Sequence, residues 1–211
     1  MPPPPKVQLV CFDLGGVLVR LAGNWIECCR AVGAPSRNIF AVNGAELAGP
    51  AAAFDTGRID DLTFAREVSR LFPEYTPEMV LKVLDVWLAG VYPGAEDLVD
   101  DIHAAGVRTA CLSNTNPRHW SLMTTHRDYA VVNKLHHRFA SHLLGCVKPA
   151  GEAYERVEKA VALPPHSIVF FDDRPENVQA AQSRGWRAFL IDQFSDTAKQ
   201  MEWFLCNVGV L

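Results

Sequence analysis

Four short runs rich in β-branched and aromatic residues recur along the chain: Val7 to Phe12, Val107 to Leu112, Ser167 to Phe171 and Arg187 to Ile191. None alternates apolar with polar positions, so each reads as a strand buried on both faces of a parallel sheet. Between them the period changes. Ala95 to Ala105 sets Leu98, Val99 and Ile102 on one stripe, with Glu96, Asp97, Asp100 and Asp101 off it. Gly151 to Ala162 does the same with Tyr154, Val157 and Val161, and Glu176 to Arg184 is a third helix. Gly106 and Gly185 follow two of these helices and suit the left-handed residue that ends them. Strand and helix alternate, which predicts an α/β fold with a parallel sheet covered on both faces.

One region breaks this rhythm. From Leu18 to Tyr92 no strong strand run occurs, and helical patterns take over: Asn24 to Val32, Ser36 to Val42, Leu62 to Leu71 and Pro77 to Leu88. In the last, Val80, Val83, Leu84 and Trp87 form an apolar face opposite Glu78, Lys82 and Asp85. The expected organisation is a core of residues 1–17 and 93–211 with an all-helical insertion at 18–92, and Pro93-Gly94 marks the return.

Composition narrows the classes. Hydrophobic residues make up 49% of the 211 positions and charged ones 21%, which excludes a disordered chain. The 24 acidic and 20 basic side chains leave a net charge of −4, which argues against nucleic acid as a partner. No apolar run approaches the roughly 18 residues of a membrane span. The six cysteines include no CxxC pair, so free thiols in a reducing compartment are expected, and a cytoplasmic location with them. The start, Met1 followed by Pro2 to Pro5, lacks the layout of a signal peptide and is expected to be a short extended leader. His136, His137 and His142 lack the regular spacing of a zinc site, and His119 and His126 are expected on a helix surface. Trp25, Trp87 and Trp120 are assigned to packing, although Trp25 or Arg20 could face a site from the edge of the insertion. Trp203, Phe204 and Leu205 are expected to dock a last helix.

Four segments carry candidate chemistry. The first strand ends in Asp13, followed by Gly15-Gly16, which let backbone pass close to a ligand. In an open parallel sheet, ligands bind beyond the carboxyl ends of the strands. The second strand ends in Ser113-Asn114, with Pro117 suited to open a helix whose N-terminus favours an anion. Lys148-Pro149 precedes another helix and can bring a positive charge to an anion. The third strand ends in Asp172-Asp173, adjacent acids that call for a cation, and Mg²⁺ takes oxygen ligands of this kind. Together these residues can bind Mg²⁺ and a phosphate and still leave the Asp13 carboxylate as a nucleophile.

At these residues the sequence resembles the haloacid dehalogenase superfamily, most of whose members are Mg²⁺-dependent phosphatases. Phe54-Asp55-Thr56-Gly57-Arg58-Ile59 followed by Leu62-Thr63-Phe64 looks like the helical cap that these enzymes insert between their first two motifs. Within the superfamily the chain is most similar to sugar-phosphate phosphatases related to bacterial glucose-1-phosphate phosphatase, and to the N-terminal phosphatase domain of mammalian soluble epoxide hydrolase. The resemblance implies a Rossmann-like core and a small phosphorylated metabolite as substrate; charge and the short apolar runs give no nucleic-acid or membrane partner, and the sequence is compatible with a monomer or a homodimer. It implies that Asp13 attacks phosphorus, that Ser113 and Asn114 hold phosphoryl oxygens, and that Lys148 neutralises nucleophile and phosphate. Asp172 and Asp173 would hold Mg²⁺, Asp173 most directly, together with Asp13 and the backbone carbonyl of Gly15, and Asn177 would orient the acidic loop.

One position departs from the pattern. Most of these phosphatases carry a second aspartate two residues after the nucleophile, which protonates the leaving oxygen and then activates water. Gly15 stands there and carries no proton. Three activities are compatible with it. The first is a phosphatase that favours good leaving groups or borrows a proton donor from the cap or from water. The second is a haloacid dehalogenase, whose halide product needs no proton. The third is a catalytically weak protein that binds phosphate and metal.

Overall fold

A computed structural model describes residues 6–211, so the proline run at 2–5 lies outside the described residues. Strands β1 (Leu9–Phe12), β4 (Arg108–Ser113), β5 (His137–Ala140), β6 (Ile168–Asp172) and β7 (Arg187–Leu190) form one parallel sheet in the order β5-β4-β1-β6-β7. β1 is the middle strand: Phe12 lies beside Cys111 of β4 and Phe171 of β6. Both faces of the sheet are buried. Val10, Phe12, Val169 and Phe171 pack against α5 (Ala95–Ala104), α7 (Ala130–Lys134) and α11 (Thr197–Asn207). Leu9, Cys11, Ile168 and Phe170 pack against α9 (Gly151–Val161) and α10 (Pro175–Ser183). Successive residues therefore serve opposite cores, which is why the strands show no polar alternation.

The inserted segment holds α1 (Trp25–Val32), α2 (Ile39–Asp55), α3 (Asp61–Leu71) and α4 (Pro77–Asp85). They share an apolar cluster of their own, with Trp25, Phe54, Phe64, Phe72, Tyr75 and Leu84 in it. The ends of the segment are not helical, contrary to the all-helical expectation. β2 (Val19–Leu21) pairs antiparallel with β3 (Leu88–Val91) in a two-stranded ribbon that closes the base of the insertion. These strands are only three and four residues long, and Leu88–Val91 follows directly on the apolar face of the expected helix Pro77 to Leu88, so periodicity does not set them apart. The second helix also differs: it runs from Ile39 to Asp55 rather than from Ser36 to Val42. Its sequence, rich in alanine and glycine, has no single apolar stripe for periodicity to register.

The insertion is fastened to α6 (Pro117–Thr125). Arg118 forks onto both Asp85 carboxylate oxygens at 2.7 Å and reaches Asp61 at 2.7 Å. His119, expected on the surface, is buried there, with Nε2 2.9 Å from the carbonyl of Leu84. Burial pulls its pKa down to about 4, so at neutral pH its ring is uncharged and donates to that carbonyl through Nε2. Trp25 is buried in the cluster of the inserted segment and its indole donates to Tyr75 Oη, while Arg20 is exposed on β2. All six cysteines are free thiols, five of them buried. Among the described residues no helix is long and apolar enough to cross a membrane.

Candidate active site at the carboxyl edge of the sheet

The candidate residues come together because the strands that carry them are neighbours. Asp13 follows β1 directly, Ser113 ends β4 and Asp172 ends β6. Backbone pairing continues past the strand, with Asp13 N donating to the Phe171 carbonyl at 2.8 Å, which holds the two acidic turns in register. Lys148 enters from the loop before α9. Its ammonium lies 2.6 Å from Asp172 Oδ2 and 3.1 Å from Asp13 Oδ1, with the lysine and Asp172 side chains fully buried. The peptide bond from Lys148 to Pro149 is cis.

Three carboxylates surround this one ammonium. Oxygens of Asp13, Asp172 and Asp173 all lie within 4.8 Å of one another. Burial, eased by Lys148 but reinforced by Asp172 and Asp173, pushes the Asp13 pKa up to about 7. Burial and the neighbouring Asp172 also raise Asp173. Burial alone would pull Lys148 down, but the charges of Asp13 and Asp172 outweigh it and keep the ammonium protonated. Asp172 is the most fully occupied of the three: besides Lys148 it accepts from Asn177 Nδ2 at 3.0 and 3.1 Å and from Arg174 N at 2.8 Å. Asp173 Oδ2 accepts from Gln193 Nε2, at 3.0 Å, and the residue stays half-exposed.

Gly16 explains how Asp173 approaches the loop after β1 so closely. It has φ +77°, and a Cβ built on it would stand 2.6 Å from Asp173 Oδ2. Any side chain there is strained in the backbone and collides with the carboxylate. Gly15 differs: its backbone is unexceptional, and a Cβ would meet only Leu21 Cδ1, at 3.0 Å.

The side chain of Asn114 is engaged within the protein. Its amide spans the backbone of Lys148, donating to the carbonyl and accepting from the N–H at 2.8 Å each. The side chain is thereby committed to fixing the loop that carries the lysine. Ser113 is buried, and its hydroxyl makes no hydrogen bond among the described residues. Asn177 braces Asp172 and its own carbonyl accepts from Tyr154 Oη at 2.9 Å. His136 and His137 lie away from this cluster: His136 Nδ1 accepts from Thr109 N, and His137 opens the edge strand β5.

Two contributors escaped sequence reasoning. Gln193 follows β7 at the same carboxyl edge, and its place after a strand was the available signal. Ser141 carries no such mark. Its hydroxyl accepts from Thr115 N at 2.9 Å and lies 3.0 Å from Thr115 O and 2.6 Å from Asp55 O, joining the inserted segment to the loop after Ser113.

A parallel sheet with an acidic cluster at the carboxyl end of its middle strand places this chain among Rossmann-like α/β enzymes. The chain belongs to the haloacid dehalogenase-like hydrolase family, whose model matches residues 7–185. It is 27% identical to Phosphatase MT3486 of Mycobacterium tuberculosis, an alignment covering 98% of this chain and 97% of the relative. The fold is that of the haloacid dehalogenase family enzyme bt-2542 of Bacteroides thetaiotaomicron: TM-score 0.81, 20% identity, 93% of this chain and 99% of that one. That enzyme has also been solved in complex with magnesium and inorganic phosphate. A haloacid dehalogenase-like hydrolase of Porphyromonas gingivalis matches with TM-score 0.79 and 24% identity, over 95% of this chain and 98% of its own.

Proposed function

We propose that the chain is a Mg²⁺-dependent phosphomonoester hydrolase acting on a small phosphorylated metabolite, with residues 18–92 as its cap. The observation that carries this reading is the imbalance of charge: three clustered carboxylates against the single buried ammonium of Lys148. The set is all hard oxygen and carries more negative charge than Lys148 offsets, and burial together with the mutual repulsion of the acids raises the pKa values of Asp13 and Asp173. Asp13, Asp172, Asp173 and the Gly15 carbonyl would hold Mg²⁺, which supplies positive charge to a phosphoryl group and to the nucleophile.

In this reading Asp13 attacks phosphorus and carries it as an aspartyl phosphate, which water then hydrolyses. Lys148 neutralises the nucleophile and an equatorial phosphoryl oxygen. The free Ser113 hydroxyl donates to another oxygen. Asn114 serves through its backbone N–H and by holding Lys148 in place. Asn177 keeps Asp172 turned toward the lysine. The dehalogenase reading fits less well, because cleavage of a carbon–halogen bond has no use for the Asp172–Asp173 pair. Gly15 puts no acid on the nucleophile's own loop, which favours good leaving groups.

The test is Mg²⁺-dependent phosphate release from p-nitrophenyl phosphate by the parent chain and by Asp13→Asn. Release that needs both the metal and Asp13 supports the reading. Equal release by the two proteins, or none by either, rejects it.

A further inference from the structure

An alkyl alkoxide is a poor leaving group, so turnover of an alkyl phosphate needs an acid, and Gly15 cannot be that acid. The donor has to reach the end of β1 from another element. Asp55, the last residue of α2, is placed to do so. On one side its carbonyl accepts from Ser141 Oγ at 2.6 Å, and the same hydroxyl is bound to Thr115, two residues past Ser113. On the other side it interacts electrostatically with Arg174, the residue after Asp173. β1 lies between β4 and β6, so a residue tied through its carbonyl to the loop after β4 and by charge to the turn after β6 belongs to the same edge of the sheet as Asp13. We propose that Asp55 is the proton donor and acceptor of this hydrolase, a carboxyl brought by the cap in place of one on the nucleophile loop.

The inference rests on the phosphatase reading and supplies its missing proton. The Asp55 side chain is half-buried and makes no hydrogen bond among the described residues, so its oxygens are free to meet a ligand. Burial, partly offset by Arg174, raises its pKa to about 6, a value suited to giving and taking a proton near neutrality. The other titratable groups at this seam are less suited. His142 Nδ1 is engaged with the Thr115 carbonyl at 3.1 Å, Arg58 is bound to Thr56, and Arg174 is a permanent cation.

The chemistry balances in two steps. An Asp13 oxygen forms a bond to phosphorus as the bond to the leaving oxygen breaks, and the Asp55 proton passes to that oxygen, leaving an alcohol and an Asp55 carboxylate. Water then attacks the aspartyl phosphate, its proton passes to Asp55, and the bond between phosphorus and Asp13 breaks to give inorganic phosphate. Both groups return to their starting states.

The experiment compares the parent with Asp55→Asn in the presence of Mg²⁺, on glycerol 3-phosphate and on p-nitrophenyl phosphate. Loss of the acid should lower turnover of glycerol 3-phosphate by between about 10²- and 10⁴-fold. Nitrophenolate leaves without a proton, so rapid mixing should show a burst approaching one nitrophenolate per chain, followed by slow turnover limited by water attack. A structural role would depress burst and steady state together. If the asparagine variant folds poorly, Asp55→Ala should give the same separation. Parent-like turnover of glycerol 3-phosphate with no burst overturns the assignment and leaves the Asp13 reading standing. Phosphate release by the parent that survives Asp13→Asn overturns both.

Discussion

Replacing Lys148 with methionine keeps an unbranched side chain one atom shorter and deletes the buried ammonium between Asp13 and Asp172. Two carboxylates then lose their partner, and at Asp172 the loss is of a 2.6 Å contact out of reach of water. Removing one member of a buried ion pair destabilises by about 3–5 kcal/mol, because the partner charge stays buried. At roughly 2–4 °C per kcal/mol for a chain of this size, the midpoint of thermal unfolding should fall by about 6–20 °C. The penalty should shrink on acidification, since protonated carboxyls need no cation, and Asp13 already holds its proton up to about pH 7 with the lysine present. It should also shrink when Mg²⁺ is added, because the ion restores positive charge to the cluster. Activity should stay lost, because the metal does not replace a donor at the phosphoryl oxygen. Thermal melts of Lys148→Met and parent, with chelator or Mg²⁺ at two pH values, read these effects directly. A chelated variant that melts with the parent at neutral pH would refute the claim that Lys148 is the counter-ion holding the site together.

Three further outcomes follow from the same geometry. Asn114→Ala removes two 2.8 Å hydrogen bonds to the Lys148 backbone; it should cost about 1–3 kcal/mol in a denaturant melt and lower kcat more than it raises KM. Gly16→Ala forces a side chain into φ +77° and against Asp173, so Mg²⁺ should bind the variant more weakly by calorimetry. The folded pKa values of Asp13 and Asp173 lie above their ordinary value of 3.8, so these groups contribute stability that is present at low pH and lost as pH rises through about 7 for Asp13. The chelated protein should therefore melt at lower temperature as pH rises from about 5 to about 8, and saturating Mg²⁺ should flatten that slope. A slope unchanged by Mg²⁺ would argue against the acidic cluster as its site.

The central strands are legible in the sequence because both of their faces are buried. Leu9–Phe12 and Ile168–Asp172 are fully enclosed, and each reads as an unbroken apolar run. The edge strand β5 is not legible: His137-Arg138-Phe139-Ala140 is half exposed, and its polar residues look like loop. The ribbon β2–β3 is hidden because its strands are only three and four residues long and Leu88–Val91 runs on from the apolar face of α4, and α2 is hidden because alanine and glycine offer no stripe. The ligand-binding edge follows from a simple rule, that acids and small polar residues at strand ends face it together. The division of labour does not follow. Nothing local says that the Asn114 amide spends itself on Lys148, 34 positions away, or that Ser141 joins the cap to the Thr115 loop. His119 shows the same limit: a histidine on a short helix has an ordinary surface pattern until the insertion folds back and presents the Leu84 carbonyl.

The most direct measurement is the site of covalent capture. The parent, mixed with p-nitrophenyl phosphate and Mg²⁺ and quenched in acid within the first turnover, should yield one peptide heavier by a single phosphoryl group, containing Asp13, and labile to base. Asp13→Asn should yield none. A phosphoryl group on another residue, or turnover with no phosphorylated chain at any time, would contradict the account.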